Sequence, residues 1–145
     1  MRRIINQTFP DMASGMIYVI DDDKANNFLS KIMFNDAGVT NLRQFYMVEQ
    51  AIEELKAACN ANKAEDYPEV ILLDLNMPVK DGWDFLDELK LVNCAFQYPK
   101  IFITTSSDHP RDVEKAKNYP EVLSFLPKPM TLETAEQVKR KYLSH

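Results

Sequence analysis

Glycine is scarce: the chain has three, Gly15, Gly38 and Gly82, in 145 residues. A dinucleotide-binding fingerprint needs three closely spaced glycines, and a Walker loop needs a close pair ahead of a lysine. These three stand far apart, so both nucleotide-binding signatures are excluded. Cysteine is scarcer still. Cys59 and Cys94 form no CxxC pair, which leaves a zinc site and a thioredoxin-type redox site unsupported. They read as two ordinary thiols filling helix faces, with nothing in the sequence favouring a disulfide. Positive charge has no excess: 17 Lys and Arg face 22 Asp and Glu, for a formal net charge of -5. A nucleic-acid-binding face needs clustered Lys and Arg, so no nucleic-acid partner is expected. No apolar run approaches the length of a membrane span. Ile4-Ile5, after Arg2-Arg3, is too short for the apolar part of a signal peptide. The chain therefore reads as cytoplasmic, with no membrane partner.

What is present is core material. The apolar set makes up 46% of the residues, and Phe, Trp and Tyr alone make up 10%. That composition disfavours intrinsic disorder, and the length suits one domain. Residues 1–15 read as a short N-terminal extension and residues 16–145 as the folded domain.

The apolar pattern changes period along the chain. Met16-Ile17-Tyr18-Val19-Ile20 is a continuous apolar run that ends in Asp21-Asp22-Asp23, as a strand buried on both faces would. Ala25, Phe28, Leu29, Ile32 and Met33 then share a helical face, which Gly38 closes. Leu42 to Tyr46 is a weaker strand. Val48, Ala51, Ile52, Leu55, Ala58 and Cys59 return to helical spacing, and the polar stretch Asn60 to Pro68 reads as a loop. Val70-Ile71-Leu72-Leu73 is a buried strand ending in Asp74. Gly82 precedes a helix carrying Trp83, Phe85, Leu86 and Leu89. Ile101-Phe102-Ile103 is a buried strand ending in Thr104. Asp108 and Pro110 mark a helix start, with Val113, Ala116 and Tyr119 as its face. Val122 to Leu126 is a last strand, and Leu132, Ala135, Val138 and Tyr142 a last helix. Such alternation predicts an α/β fold: a five-stranded parallel sheet flanked by five helices, joined by right-handed crossovers.

In an open doubly wound sheet, ligands bind outside the carboxyl ends of the strands. The informative residues are therefore the polar ones that end apolar strands: Asp21 and Asp22, Asp74 with Asn76 beyond it, Thr104, and Lys128. If their strands neighbour one another, three carboxylates meet beside apolar walls. Like charges at that distance repel, and partial burial aggravates the repulsion. A hard divalent cation would offset it, and Mg²⁺ takes oxygen ligands, typically one or two carboxylates plus phosphate. Lys128 and Thr104 would complete a site for a phosphoryl group. A carboxylate such as Asp74 can serve as its nucleophile. Taken singly, each residue also has a bland reading. A strand-ending Asp often caps the next helix, as Asp23 would, and Lys128 could be a solvated surface lysine.

Five motifs in this order carry a resemblance: Val19-Ile20-Asp21-Asp22-Asp23, Ile71-Leu72-Leu73-Asp74-Leu75-Asn76-Met77-Pro78, Asp81-Gly82, Pro99 with Ile101-Phe102-Ile103-Thr104, and Phe125-Leu126-Pro127-Lys128-Pro129. Over residues 16–143 the chain resembles the receiver domains of two-component response regulators. The resemblance implies a flavodoxin-like sheet of order 2-1-3-4-5. It implies Asp74 as phosphoacceptor, taking the group from a phosphohistidine on a histidine kinase or phosphotransfer protein. Asp22, Asp74 and the backbone carbonyl of Asn76 would bind Mg²⁺ directly, and Asp21 would act mainly through water. Lys128 would contact the phosphoryl group, and Thr104 would be the switch hydroxyl. Phe125 would couple the site to the face made by the fourth helix, fifth strand and fifth helix. That face would meet a downstream protein target, or a second copy of the chain in a homodimer. The Lys128–Pro129 peptide is expected to be cis. Two departures fall on the output face: Asn118-Tyr119-Pro120-Glu121 stands where the family commonly ends its fourth helix with Gly-Ala, and Phe125 lacks a tyrosine's hydroxyl.

The expected function is a stand-alone receiver, because the chain ends with its fifth predicted helix. It would be no enzyme beyond its own phosphorylation and dephosphorylation. An unphosphorylated receiver-like module would be expected to have lost one of Asp21, Asp22, Asp74, Thr104 and Lys128. An aspartyl phosphatase of the haloacid-dehalogenase type wants an acid where Asn76 stands, and an amide cannot supply the proton.

Overall fold

The computed structural model describes residues 15–106 and 109–144. Five strands form one parallel sheet: β1 (Ile17–Ile20), β2 (Leu42–Phe45), β3 (Val70–Asp74), β4 (Lys100–Thr105) and β5 (Val122–Pro127). Their spatial order is β2-β1-β3-β4-β5. The helices are α1 (Lys24–Asp36), α2 (Val48–Asn60), α3 (Gly82–Leu89), α4 (Pro110–Ala116) and α5 (Leu132–Tyr142). This is the expected doubly wound architecture. A short 3-10 turn, Ala64–Asp66, interrupts the stretch expected to be loop.

Side chains alternate across each strand, so the two faces of the sheet build two cores. Ile17 and Val19 pack with Phe34 of α1, Leu72, Phe102 and Val138 of α5. Tyr18 and Ile20 pack on the other face with Leu55 of α2, Leu73, and Phe85 and Leu86 of α3. Burying a side chain of this size contributes about 1.5–3 kcal/mol. Both faces of β1 and β3 are covered, which is why those strands read as unbroken apolar runs.

The register fixes which strand ends meet. Ile20 lies beside Leu73, Asp74 beside Thr104, and Thr105 beside Pro127. Lys128 follows β5 directly, and its backbone N–H donates to Thr105 O at 2.8 Å. The Lys128–Pro129 peptide is cis, as expected.

The buried face of α1 differs from the periodic reading. The buried positions are Asn27, Ser30 and Phe34, while Phe28 is 60% exposed. The helix start sets this rotation. Asp23 caps α1 by accepting from the backbone N–H groups of Ala25 and Asn26. The Asn27 carboxamide then donates to Asp21 O at 3.0 Å and Phe45 O at 3.2 Å, and accepts from Gln44 Nε2 at 2.5 Å. A buried amide with these partners outranks apolar periodicity in deciding which face turns inward.

Two further helix faces differ. Val113 is exposed and α4 contributes no buried residue; the anchor is Tyr119, buried just beyond the helix and stacked on Trp83. Leu132 opens α5 in an exposed position, while Ala135 and Val138 are buried. The N-cap of α4 is His109; Asp108, expected there, and residues 1–14 of the expected extension lie outside the described residues.

Cys59 and Cys94 are joined in a disulfide, against the expectation of two thiols. Cys59 lies in the last turn of α2, and Cys94 in the segment between α3 and β4. Helices in parallel crossovers run opposite to the strands, so α2 and α3 end side by side at the edge opposite the strand carboxyl ends. Packing brings together two cysteines that sequence spacing leaves 35 residues apart. Closing a loop of that length restricts the unfolded chain by about 3–4 kcal/mol in the chain-entropy account. Reduction is therefore expected to lower the urea unfolding free energy by about 3 kcal/mol without altering the strand-end cleft. Thiol titration beside a denaturation curve checks this, and equal stability of oxidised and reduced protein would contradict it.

Candidate functional site

The carboxyl ends of β1, β3, β4 and β5 bring together Asp21, Asp22, Asp74, Thr104 and Lys128, all five side chains expected from the sequence. Carboxylate oxygens of Asp21, Asp22 and Asp74 lie within 4.8 Å of one another. Asp21 and Asp74 are buried and Asp22 is exposed. The Lys128 ammonium bridges the two buried acids, at 2.9 Å from Asp21 Oδ2 and 3.1 Å from Asp74 Oδ1. Backbone N–H groups hold the same acids: Asp23 N donates to Asp21 Oδ1 at 2.9 Å, and Asn76 N to Asp74 Oδ1 at 3.4 Å. Thr104 is 7% exposed on the strand beside Asp74. A cleft of about 270 Å³ opens over these groups, with Asp22, Asn76 and Ser106 also on its wall.

The electrostatics follow from burial. Desolvation, reinforced by the charge of Asp21, pushes Asp74 up from an ordinary 3.8 to about 6, against the lowering effect of Lys128. Burial acts to lower the Lys128 ammonium, but its hydrogen bond to Asp21 and the charges of Asp21 and Asp74 prevail and raise it. One lysine thus leaves three neighbouring acids with an uncompensated double negative charge. The donor set is all oxygen, hard and anionic, which fits a divalent cation of the Mg²⁺ type and argues against a soft metal. Asp21, Asp22 and Asp74 are the side chains that would hold it.

Gly82 sets the depth of the site. It opens α3 behind a capping box formed by Asp81 and Asp84, and its N–H donates to Leu75 O at 3.1 Å. A Cβ there would lie 2.7 Å from the carbonyl oxygen of Asp74 and 3.0 Å from Leu75 Cα. Those are backbone atoms at the end of a buried strand and cannot yield cheaply. Gly82→Ala is expected to cost about 2 kcal/mol, since overpacking outweighs the gain in helix propensity. A urea curve shifted to higher stability would contradict that reading.

Phe125, expected to be a switch residue, is half-buried on β5 and packs against the core shared by α2 and α3. Sequence reasoning missed Asn27, which ties α1 to the ends of β1 and β2, and Asn26, which lines the cleft. The available signal was two amides inside a helix read as apolar.

The family model described as the response regulator receiver domain matches residues 17–139. The DNA-binding transcriptional regulator NtrC of Escherichia coli K12 is 28% identical over 134 residues, covering 92% of this chain and 26% of NtrC. The chain thus spans about a quarter of the length of that curated relative. A two-component response regulator from Cytophaga hutchinsonii superposes with a TM-score of 0.73 at 27% identity, over 87% of this chain and 94% of that one. The receiver domain of the histidine kinase CKI1 from Arabidopsis thaliana, complexed with Mg²⁺, gives a TM-score of 0.73 over 87% of this chain and 90% of its own; at 17% identity it speaks to the fold alone. Among the described residues, no helix is long and apolar enough to cross a membrane. With the motif order, the sheet topology and the family match in agreement, this chain belongs to the response regulator receiver domain family.

Proposed function

We propose that the chain accepts a phosphoryl group on Asp74 from a phosphohistidine of a histidine kinase or phosphotransfer protein, with Mg²⁺ bound, and that the acyl phosphate changes what its surface binds. The observation that carries this reading is the Lys128 bridge between two buried acids, Asp21 and Asp74, within 4.8 Å of Asp22. A fold has no structural need for such a cluster.

In the proposed transfer an Asp74 carboxylate oxygen attacks phosphorus. A P–O bond forms, the P–N bond to the donor imidazole breaks, and the imidazole leaves with a proton. Hydrolysis then breaks the bond from phosphorus to the Asp74 oxygen as water attacks phosphorus, giving carboxylate and inorganic phosphate, so no reactant other than water is consumed. When bound, Mg²⁺ would neutralise phosphoryl oxygens. Lys128 supplies a second positive charge, already within 3.1 Å of Asp74 Oδ1. Thr104, in register with Asp74, supplies a hydroxyl for one oxygen. The modification adds nearly two negative charges at one carboxylate. Movement of Thr104 and Phe125 toward the new group would carry the change to α4, β5 and α5. Each of those elements bears an exposed apolar residue, Val113, Leu123 and Leu132, which suits docking of a partner protein.

Incubation of the protein with Mg²⁺ and acetyl phosphate, followed by intact mass, tests the proposal. The expected result is a gain of one phosphoryl group, absent in Asp74→Asn and in EDTA. No gain with any phosphodonor would favour a receiver-like module that binds partners without modification.

A further inference from the structure

The inward face of α1 carries Asn27 and Ser30 beside Phe34, and the amide next to Asn27 is placed differently. Asn27 is fully buried and its carboxamide is engaged on both ends by Asp21 O, Phe45 O and Gln44. Asn26, its neighbour, is held only through its backbone, where the N–H donates to Asp23 Oδ1 at 3.2 Å. Among the described residues, the Asn26 carboxamide has no hydrogen-bond partner. It nevertheless faces polar space on two sides. It lines the cleft of about 270 Å³ shared with Asp22, Asp74, Thr104 and Lys128. It also lines a water-sized pocket of about 10 Å³ with Ser30, Thr104 and Lys128.

Asn26 is half-buried on the wall of an open cleft, where water satisfies the carboxamide at rest and a stronger acceptor can displace that water. The side chains around it narrow down what it could meet. Asp21 and Asp74 already occupy the Lys128 ammonium, and the other titratable groups on the cleft wall are acids. A phosphoryl group on Asp74 would bring strong acceptor oxygens into this space. A neutral amide can donate to one of them without adding charge to a crowded acidic site. In the transfer, charge spreads over the equatorial oxygens, and a donor already in place there lowers the barrier.

We propose that the Asn26 carboxamide donates a hydrogen bond to an oxygen of the phosphoryl group on Asp74, and so sets the rate at which that group enters. The inference rests on the reading of Asp74 as phosphoacceptor. With acetyl phosphate as donor, the Asp74 oxygen attacks phosphorus, the bond from phosphorus to the acetyl oxygen breaks, and acetate leaves.

Time-resolved intact mass of the full chain with Mg²⁺ and acetyl phosphate provides the test. Asn26→Ala is expected to slow phosphorylation about tenfold, which corresponds to the loss of one neutral hydrogen bond of about 1.4 kcal/mol, with an unchanged urea midpoint. Asn26→Gln recovers part of the rate. Asn26→Asp keeps the shape and any packing role, but it offers an acceptor and a charge, and it is expected to be slower than Asn26→Ala. Wild-type rates in Asn26→Ala or Asn26→Asp overturn the proposal. If the wild-type protein itself gains no phosphoryl group, the Asp74 reading fails and this one falls with it. Wild-type gain with an unaffected Asn26→Ala overturns this proposal alone.

Discussion

Asp74→Asn is expected to take up no phosphoryl group and, free of divalent metal at neutral pH, to unfold with about 2 kcal/mol more stability than the wild-type protein. Both effects have one cause. Asp74 is buried beside Asp21, and those two influences lift it to about 6. A carboxyl group whose native value lies above its unfolded value favours folding at low pH, where it is protonated in both states. That contribution is lost as pH rises through about 6, because ionisation is harder in the native protein than in the unfolded chain. The stability gap between Asp74→Asn and wild type should therefore be small near pH 4 and reach its full size above pH 6. The full shift is worth about 3 kcal/mol, and part is forfeited because Lys128 loses one ionised partner. Urea melts in EDTA at several pH values check this. A gap that shrinks as pH rises would contradict the sign. Mg²⁺ should narrow the gap, since the cation stabilises the wild-type acids and has less to bind in the variant.

Lys128→Ala should act in the opposite direction and more strongly. Its ammonium is the one positive side chain of the described residues within 4 Å of Asp21 and Asp74, and all three side chains are mostly buried. Removing one member of a buried ionic group leaves the rest uncompensated, at a cost of about 3–5 kcal/mol. Lys128→Ala in EDTA is therefore expected to lose about 3 kcal/mol. Mg²⁺ should restore more stability to the variant than it adds to the wild type, because a divalent charge can replace the missing one. Phosphorylation from acetyl phosphate should nevertheless fall by about two orders of magnitude, as metal alone does not replace a donor aimed at the phosphoryl oxygens. A variant as stable as wild type without metal would show that Lys128 is solvated and not part of the site.

The contrast between these two substitutions exposes the physical character of the site. Asp21, Asp22 and Asp74 repel one another, and Lys128 offsets only part of that repulsion. What destabilises the resting protein is what would make a cation and a phosphoryl group welcome there.

Much of this was legible in the sequence because parallel strands point their carboxyl ends the same way. Asp21, Asp74 and Thr104 each end an apolar run, and Lys128 follows one, so placing the strands also placed the residues. Topology then set the partners: β3 between β1 and β4 puts Asp74 between Asp21 and Thr104. The rotation of α1 was not legible. Of the expected face Ala25, Phe28, Leu29, Ile32 and Met33, Met33 packs on the core and Leu29 and Ile32 are half-buried, while the Asp23 cap and the bonds of Asn27 rotate the helix so that Asn27, Ser30 and Phe34 are deepest and Phe28 is exposed. Hydrogen bonds between a helix and two distant strand ends leave no periodic trace. The disulfide was hidden for a similar reason. Cys59 and Cys94 meet because α2 and α3 end at the same edge, a consequence of packing and not of spacing. Val113 misled because α4 is held by Tyr119 beyond its end, through stacking on Trp83 and a 2.9 Å hydrogen bond to Asp87.

The product expected at the site is an acyl phosphate, a phosphoryl group joined to the Asp74 carboxylate. Borohydride reduces an acyl phosphate of aspartate to homoserine, so the acceptor can be read directly from a peptide. Protein treated with Mg²⁺ and acetyl phosphate, reduced and digested, should carry homoserine at position 74 and aspartate at positions 21 and 22. Aspartate retained at position 74, in protein whose intact mass shows the added phosphoryl group, would contradict the assignment.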